Sequence, residues 1–184
     1  MPTNFKPTYK GERIVYSSVT KHISFDAAHY LMNPAWDRET NMAKFHKCCL
    51  YKKDGSDQPH GHTYHLEVTV FGIVDPDTGF VIDFKDLKKI LSEGVLEKLD
   101  HNLLNTIDFF KVNLATAENI CQYIWQEIVD EIEAVRPEQI MVTQIKLYET
   151  PDSFALLTRD MVIGAQPRIR TCGGNCDNCK DGGH

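Results

Sequence analysis

No run of roughly eighteen apolar residues occurs anywhere in the sequence, and the opening stretch MPTNFKPTYKGERIVY has no apolar centre. Neither a membrane span nor a secretory leader is therefore expected, which points to a cytoplasmic protein with no membrane partner. An excess of positive charge is also missing. The formal net charge is -6, and no basic stripe interleaves with aromatics as a phosphate backbone would require. A small-molecule partner is expected rather than nucleic acid. There is no internal repeat. Cysteine is not scarce, but its placement gives no disulfide framework. Cys48 and Cys49 are adjacent, Cys121 stands alone, and Cys172, Cys176 and Cys179 cluster near the end. A chain of 184 residues that is 42% hydrophobic can bury a core without staples, so reduced thiols are expected.

What is there reads as one domain between short tails. Residues 1–11 are polar with Pro2, Pro7 and Gly11 and form an N-terminal arm; the domain spans 12–166, and 167–184 is a cysteine-containing tail. In the segment 14–27, Val19, Ile23, Phe25 and Ala27 share one parity, as in a half-buried strand. The stretch from Tyr30 to Pro59 is a long, mostly polar loop with room for one short helix. A second strand is expected over 61–74, with Tyr64, Leu66, Val68 and Val70 facing one way and Thr63, His65, Glu67 and Thr69 the other. After the turn DPDTG, Asp83 can cap a helix carrying Phe84, Leu87, Leu91 and Val95 on its buried side, weakened near its end by Gly94. Thr116 can cap a second helix whose buried stripe is Ile120, Ile124 and Ile128. The strands QIMVTQIKLYET and SFALLTRD follow. The plan is α+β, an antiparallel sheet with two helices on one face.

Strand parity sorts the eight histidines. His60 and His62 share the parity of Tyr64, Leu66 and Val68, so both rings point to the buried side, whereas His65 falls on the polar side. On the first strand His29 continues the line of Ile23, Phe25 and Ala27, while His22 sits with Ser24 and Asp26. A lone histidine is more often a satisfied core or surface residue than a ligand. Three inward ones on two strands that can pair match the three-ligand catalytic zinc site, whose fourth position stays open.

Other residues carry candidate chemistry. Cys48 and Cys49 lie in the loop leading to the histidine pair, where a thiolate beside a metal acts as base or nucleophile. A buried inert cysteine is the ordinary alternative. Asp100 beside His101 can relay a proton or is merely a surface pair in a turn. Glu149 has the parity of Ile145 and Leu147. If presented inward it must meet donors, such as the N–H groups of a heterocycle; a strand-end glutamate in solvent is the alternative. Cys172, Cys176, Cys179 and His184 are read as a flexible, glycine-rich tail with incidental metal affinity, although their spacing resembles an iron–sulfur loop and a zinc knot is the alternative.

Together FDAAH (25–29), HGHTYHLEV (60–68), VIDFKDLK (81–88), LDHNLLN (99–105), ATAENI (115–120) and KLYET (146–150) resemble the 6-pyruvoyltetrahydropterin synthase and 6-carboxytetrahydropterin synthase family, over roughly residues 12–160. The resemblance implies the tunnelling fold, assembling into a trimeric barrel and then a homo-hexamer, a dimer of trimers, with active sites between subunits. It implies zinc on His29, His60 and His62, agreeing with parity. Cys48 would be the catalytic thiolate, Asp100 with His101 the acid–base pair, and Glu149, assisted by Thr116, the anchor of the pterin ring. The substrate would be 7,8-dihydroneopterin triphosphate, with Zn2+ as Lewis acid easing proton removal and triphosphate loss.

The chain departs from the family pattern where CLYKKDGSDQP separates Cys48 from HGH, a longer loop than usual. Loop closure cost grows slowly with length, and FHKC resembles the family's approach to its cysteine, so Cys48 is chosen over Cys49. FDAAH and VIDFKDLK look more like the enzymes of queuosine and deazapurine synthesis that give 6-carboxytetrahydropterin, and that product is expected. The long segment before Cys48 looks more like the 6-pyruvoyl enzymes of the biopterin pathway, the alternative. A zinc-containing pterin-binding protein without turnover is the third reading.

Overall fold

The computed structural model describes residues 14–45, 50–51 and 57–162. The first strand, β1 (Tyr16–His29), is followed by a short helix, α1 (Arg38–Phe45), and a two-residue ladder of β2 (Leu50–Tyr51) with β3 (Asp57–Gln58). The long strand β4 (His60–Ile73) comes next, then α2 (Phe84–Leu91), a π-helical turn over Ser92–Leu96, and a last helical turn α3 (Glu97–Leu99). The chain continues through β5 (Asn102–Leu103), α4 (Asp108–Val112), the main helix α5 (Ala117–Val135), β6 (Ile140–Thr150) and β7 (Ser153–Thr158).

The sheet order is β5-β1-β4-β6-β7. Among the described residues all the long ladders are antiparallel, and β5 alone pairs in parallel, at Ala27–Ala28 of β1, which makes the sheet mixed at that edge. In β1 and β4 the expected parity holds along the whole ladder. Phe25 faces Tyr64, Ile23 faces Leu66 and Val19 faces Val70, so one side of the sheet is apolar apart from Lys21, which stands opposite Val68 with its ammonium 6.0 Å from the Phe84 ring. Val142, Ile145, Leu147 and Ala155 extend that side across β6 and β7. Against it pack Leu87, Leu91, Val95 and Leu99 from α2–α3 and Ile120, Ile124, Ile128 and Ile132 from α5, all fully buried. This is the expected α+β layering of helices on one face of the sheet. None of the helices among the described residues is long and apolar enough to cross a membrane.

Two features of the helical layer differ from expectation. Phe84 is 49% exposed, because as the first residue after the cap its side chain lies outside the buried stripe that begins at Leu87. Gly94, expected to weaken its helix near the end, lies inside a π turn. Residues four apart drift by about 40° per step around an α-helix, and the wider π turn absorbs that drift, so Val95 and Leu99 stay on the line of Leu87 and Leu91. Gly94 is small there for a packing reason: a Cβ would lie 2.9 Å from the Cγ2 of Ile128 on α5. Asp83 caps α2 as expected, its carboxylate accepting from Lys85 N at 2.8 Å.

Candidate metal centre and acid–base pair

The antiparallel register of β1 and β4 sets His29 directly opposite His60 and Ala27 opposite His62. Because alternate residues of a strand share a face, all three imidazoles converge at the end of the sheet. Their ligand-capable nitrogens lie within 4.8 Å of one another, and the Nε2 atoms of His29 and His60 are 3.1 Å apart. Two nitrogens bound to one zinc at tetrahedral angles, with Zn–N of about 2.0–2.1 Å, would be about 3.3 Å apart.

The environment fixes which His29 nitrogen is free. Its Nδ1 lies 2.6 Å from the carbonyl oxygen of Ala115, in the loop that enters α5. A carbonyl only accepts, so Nδ1 donates and Nε2 of the neutral ring carries the lone pair. His29 is almost wholly buried, and burial, the largest cause, pushes its pKa below the ordinary histidine value; the bond to Ala115 works against this and the nearby His60 adds to it. The His60 pKa is also lowered, first by burial and then by His62. Neutral rings are what a metal requires. Nδ1 of His60 and Nε2 of His62 are buried with no hydrogen-bond partner among the described residues. Burying such atoms is costly without a further group to meet, and the donor set, with its orphaned Nε2 atom of His62, fits zinc.

Glu149 arrives from β6. A register shift between Tyr148 and Thr150 leaves Glu149 outside the pairing with β7, and its carboxylate lies 3.4 Å from His29 Nε2 and 3.7 Å from His62 Nε2. Parity left inward presentation and a solvent-facing strand end both open; the carboxylate turns to the imidazoles while staying 30% exposed. Thr116 caps α5, its hydroxyl accepting from Asn119 N at 3.5 Å, one residue beyond the carbonyl that holds His29. His65 lies on the other face of the sheet, its ring 5.5 Å from that of His22. Cys48, Cys49, Cys172, Cys176, Cys179 and His184 lie outside the described residues.

Asp100 and His101 form a second cluster. His101 has φ of 57°, a left-handed conformation that costs a non-glycine residue about 1–2 kcal/mol. That turn sets the ring Nδ1 3.0 Å from the Asp100 carboxylate. The other Asp100 oxygen accepts from Asp26 N at 2.8 Å, and this bond is the main reason the Asp100 carboxyl is held below the usual carboxylate range. An ionised carboxylate on Nδ1–H leaves Nε2 of a 78% exposed ring available to an outside group. Asp26 and Thr63 alternate with Ala27 and His62, so this cluster and the three histidines occupy opposite faces of the β1–β4 ladder. The sequence contained no signal for the contacts that Asp26 makes, because its partners Thr63 and Asp100 lie thirty-seven and seventy-four residues away.

The 6-pyruvoyl tetrahydropterin synthase family model matches residues 18–160. A 6-pyruvoyl tetrahydrobiopterin synthase of Homo sapiens is 35% identical over 150 residues, covering 81% of this chain and 96% of that protein. A protein of Archaeoglobus fulgidus provisionally named 6-carboxy-5,6,7,8-tetrahydropterin synthase is 33% identical over 120 residues, covering 65% of this chain and 91% of its own length. The solved structure of Caenorhabditis elegans 6-pyruvoyl tetrahydropterin synthase superposes with a TM-score of 0.68 at 29% identity, covering 80% of this chain and 98% of that one.

Proposed function

The chain belongs to the 6-pyruvoyl tetrahydropterin synthase family, and from that premise we propose that it is a zinc-dependent lyase converting 7,8-dihydroneopterin triphosphate, with loss of triphosphate, to 6-pyruvoyltetrahydropterin. The observation that carries the chemistry is the convergence of His29, His60 and His62, with the His29 tautomer held by Ala115. When bound there, zinc supplies Lewis acidity to the side-chain hydroxyls of the pterin. Glu149 faces the site and accepts the N–H groups of the pterin ring, assisted by Thr116. Cys48 removes a proton from the substrate side chain, and His101, oriented through Nδ1 by ionised Asp100, accepts and returns a proton at Nε2. The opposite-face placement of Asp100 and His101 supports an oligomer, the homo-hexamer of two trimers, in which the pair serves a neighbouring subunit's histidines.

The 6-carboxytetrahydropterin product expected from FDAAH and VIDFKDLK is the less well supported alternative. Relatives named for the 6-pyruvoyl product match at 35% identity over 81% of the chain, the archaeal 6-carboxy relative at 33% over 65%. That archaeal relative keeps the queuosine-type reading as a second one. Incubating the zinc-loaded protein with 7,8-dihydroneopterin triphosphate and identifying products by mass separates the cases. The 6-pyruvoyl compound is expected. A 6-carboxy product alone overturns the choice of product, and no product at all leaves a pterin-binding protein.

A further inference from the structure

Asp26 is joined to both members of the Asp100–His101 pair and to the neighbouring strand. Its N–H donates to Asp100 Oδ1 at 2.8 Å, and its carbonyl accepts from His101 N at 2.6 Å. Its carboxylate accepts from the hydroxyl of Thr63 at 2.6 Å, which pins this point of β1 to β4. The ligand-capable atoms of Asp26, Asp100 and His101 all lie within 4.8 Å of one another. Asp26 and His101 border an open depression of about 490 Å³ that is also lined by Gly61, Thr63 and Asn102.

We propose that Asp26 is a positioning residue for the acid–base pair, and that the bond from Thr63 to its carboxylate makes it one. The proposal rests on the reading of Asp100 and His101 given above.

Two physical points carry it. His101 sits in a strained left-handed turn, and such a conformation persists only where its surroundings hold it. The holding bonds are the one from His101 N to Asp26 O and the parallel pairing of Ala27 with Asn102, so the ring's placement depends on where β1 lies at residue 26. The Asp26 side chain is exposed, on the face of β1 opposite the buried Phe25, Ala27 and His29, so core packing does not hold it. The Thr63 hydroxyl supplies a side-chain tie there, and a charge-assisted bond is stronger than a neutral one. With Asp26 fixed, the same peptide units aim Asp100 at the imidazole and hold the imidazole against Asp100. Without the tie, the pair keeps its partners but loses its fixed direction relative to the depression.

The test uses the zinc-loaded full-length chain and three variants, Asp26→Ala, Thr63→Val and Asp26→Asn. The first two remove one end of the tie. The third keeps it, since an amide oxygen still accepts from the hydroxyl. Two quantities are read: kcat and KM with 7,8-dihydroneopterin triphosphate, and the 15N resonances of the His101 ring, which report whether Nδ1 carries the proton. Asp26→Ala and Thr63→Val are expected to lower kcat about 10-fold with KM within about 2-fold, and to shift His101 from one Nδ1–H tautomer to a mixture. Asp26→Asn is expected to keep the wild-type tautomer and most of kcat. Zinc content is expected to be unchanged in all three. Wild-type kcat and tautomer in both Asp26→Ala and Thr63→Val overturn the proposal. So does an Asp26→Asn protein that behaves like Asp26→Ala, because charge rather than the tie would then be what matters. Full turnover in His101→Ala overturns the acid–base reading itself, and the tautomer measurement still decides whether Asp26 holds the ring.

Discussion

His29 and His60 face each other across the β1–β4 ladder with their Nε2 atoms 3.1 Å apart, and the Ala115 carbonyl leaves His29 no proton on that nitrogen. Two lone-pair nitrogens at this distance repel unless a proton or a cation lies between them. His62 adds a third nitrogen with no hydrogen-bond partner among the described residues. The purified protein is expected to carry zinc at one per subunit, and His62→Ala to lose it, as measured by atomic absorption after dialysis. Full metal content in that variant would remove His62 from the ligand set.

The metal-free protein should lose stability on mild acidification. Burial holds the His29 pKa below 6.5, so the unfolded chain takes up a proton near that pH while the folded one refuses it. Unfolding free energy therefore falls as pH drops from about 6.5 toward the folded value, and is unaffected by this group well above 6.5. His29→Gln removes the titrating ring. Urea unfolding of the metal-free forms between pH 7 and about 5 should show a shallower pH slope for the variant than for the wild type; equal slopes would show that His29 is not the group responsible.

The thiol is decided by a pair of variants. Cys48→Ala is expected to abolish turnover and Cys49→Ala to leave most of it, with zinc retained in both. The reverse pattern assigns the base to Cys49.

For His101 the roles in catalysis and in backbone strain can be separated. His101→Ala and His101→Gly both remove the imidazole and are expected to lack turnover. Glycine adopts φ of 57° without the Cβ clash, so the glycine variant should be the more stable of the two by about 1 kcal/mol. Equal melting temperatures would show that the turn relaxes in the alanine variant.

Gly94→Ala should destabilise the fold although alanine is the better helix former. Its Cβ would meet Ile128 Cγ2 at 2.9 Å and the Glu127 carbonyl oxygen at 3.4 Å, forcing the π turn and α5 apart at a cost of about 1–3 kcal/mol. A gain in urea midpoint would contradict the close helix contact.

The histidine set was legible because a strand's period of two is a local property. Parity places His29 with Phe25 and Ala27, and His60 and His62 with Tyr64, whatever the rest of the chain does. The same rule sends His22 and His65 to the other face, where the structure has them. Caps were legible for a similar reason: Asp83 and Thr116 satisfy donors two and three residues away. The π turn was not, because Gly94 looks like a helix weakener until the side chain of Ile128 is seen against it. Nor was the exposure of Phe84, since a residue at the first helical position shares the period of the buried stripe without reaching the layer below.

The sequence by itself determined the faces of the long strands, the order of those strands and the two main helices, and the motif residues, all set by interactions within a few positions. Only the tertiary structure decided the register that brings His29 against His60, the approach of Glu149 to the imidazoles, and the fastening of Asp100 and His101 to Asp26. These depend on pairings between segments far apart in the chain. No local period encodes such pairings; burial of the shared apolar face selects them.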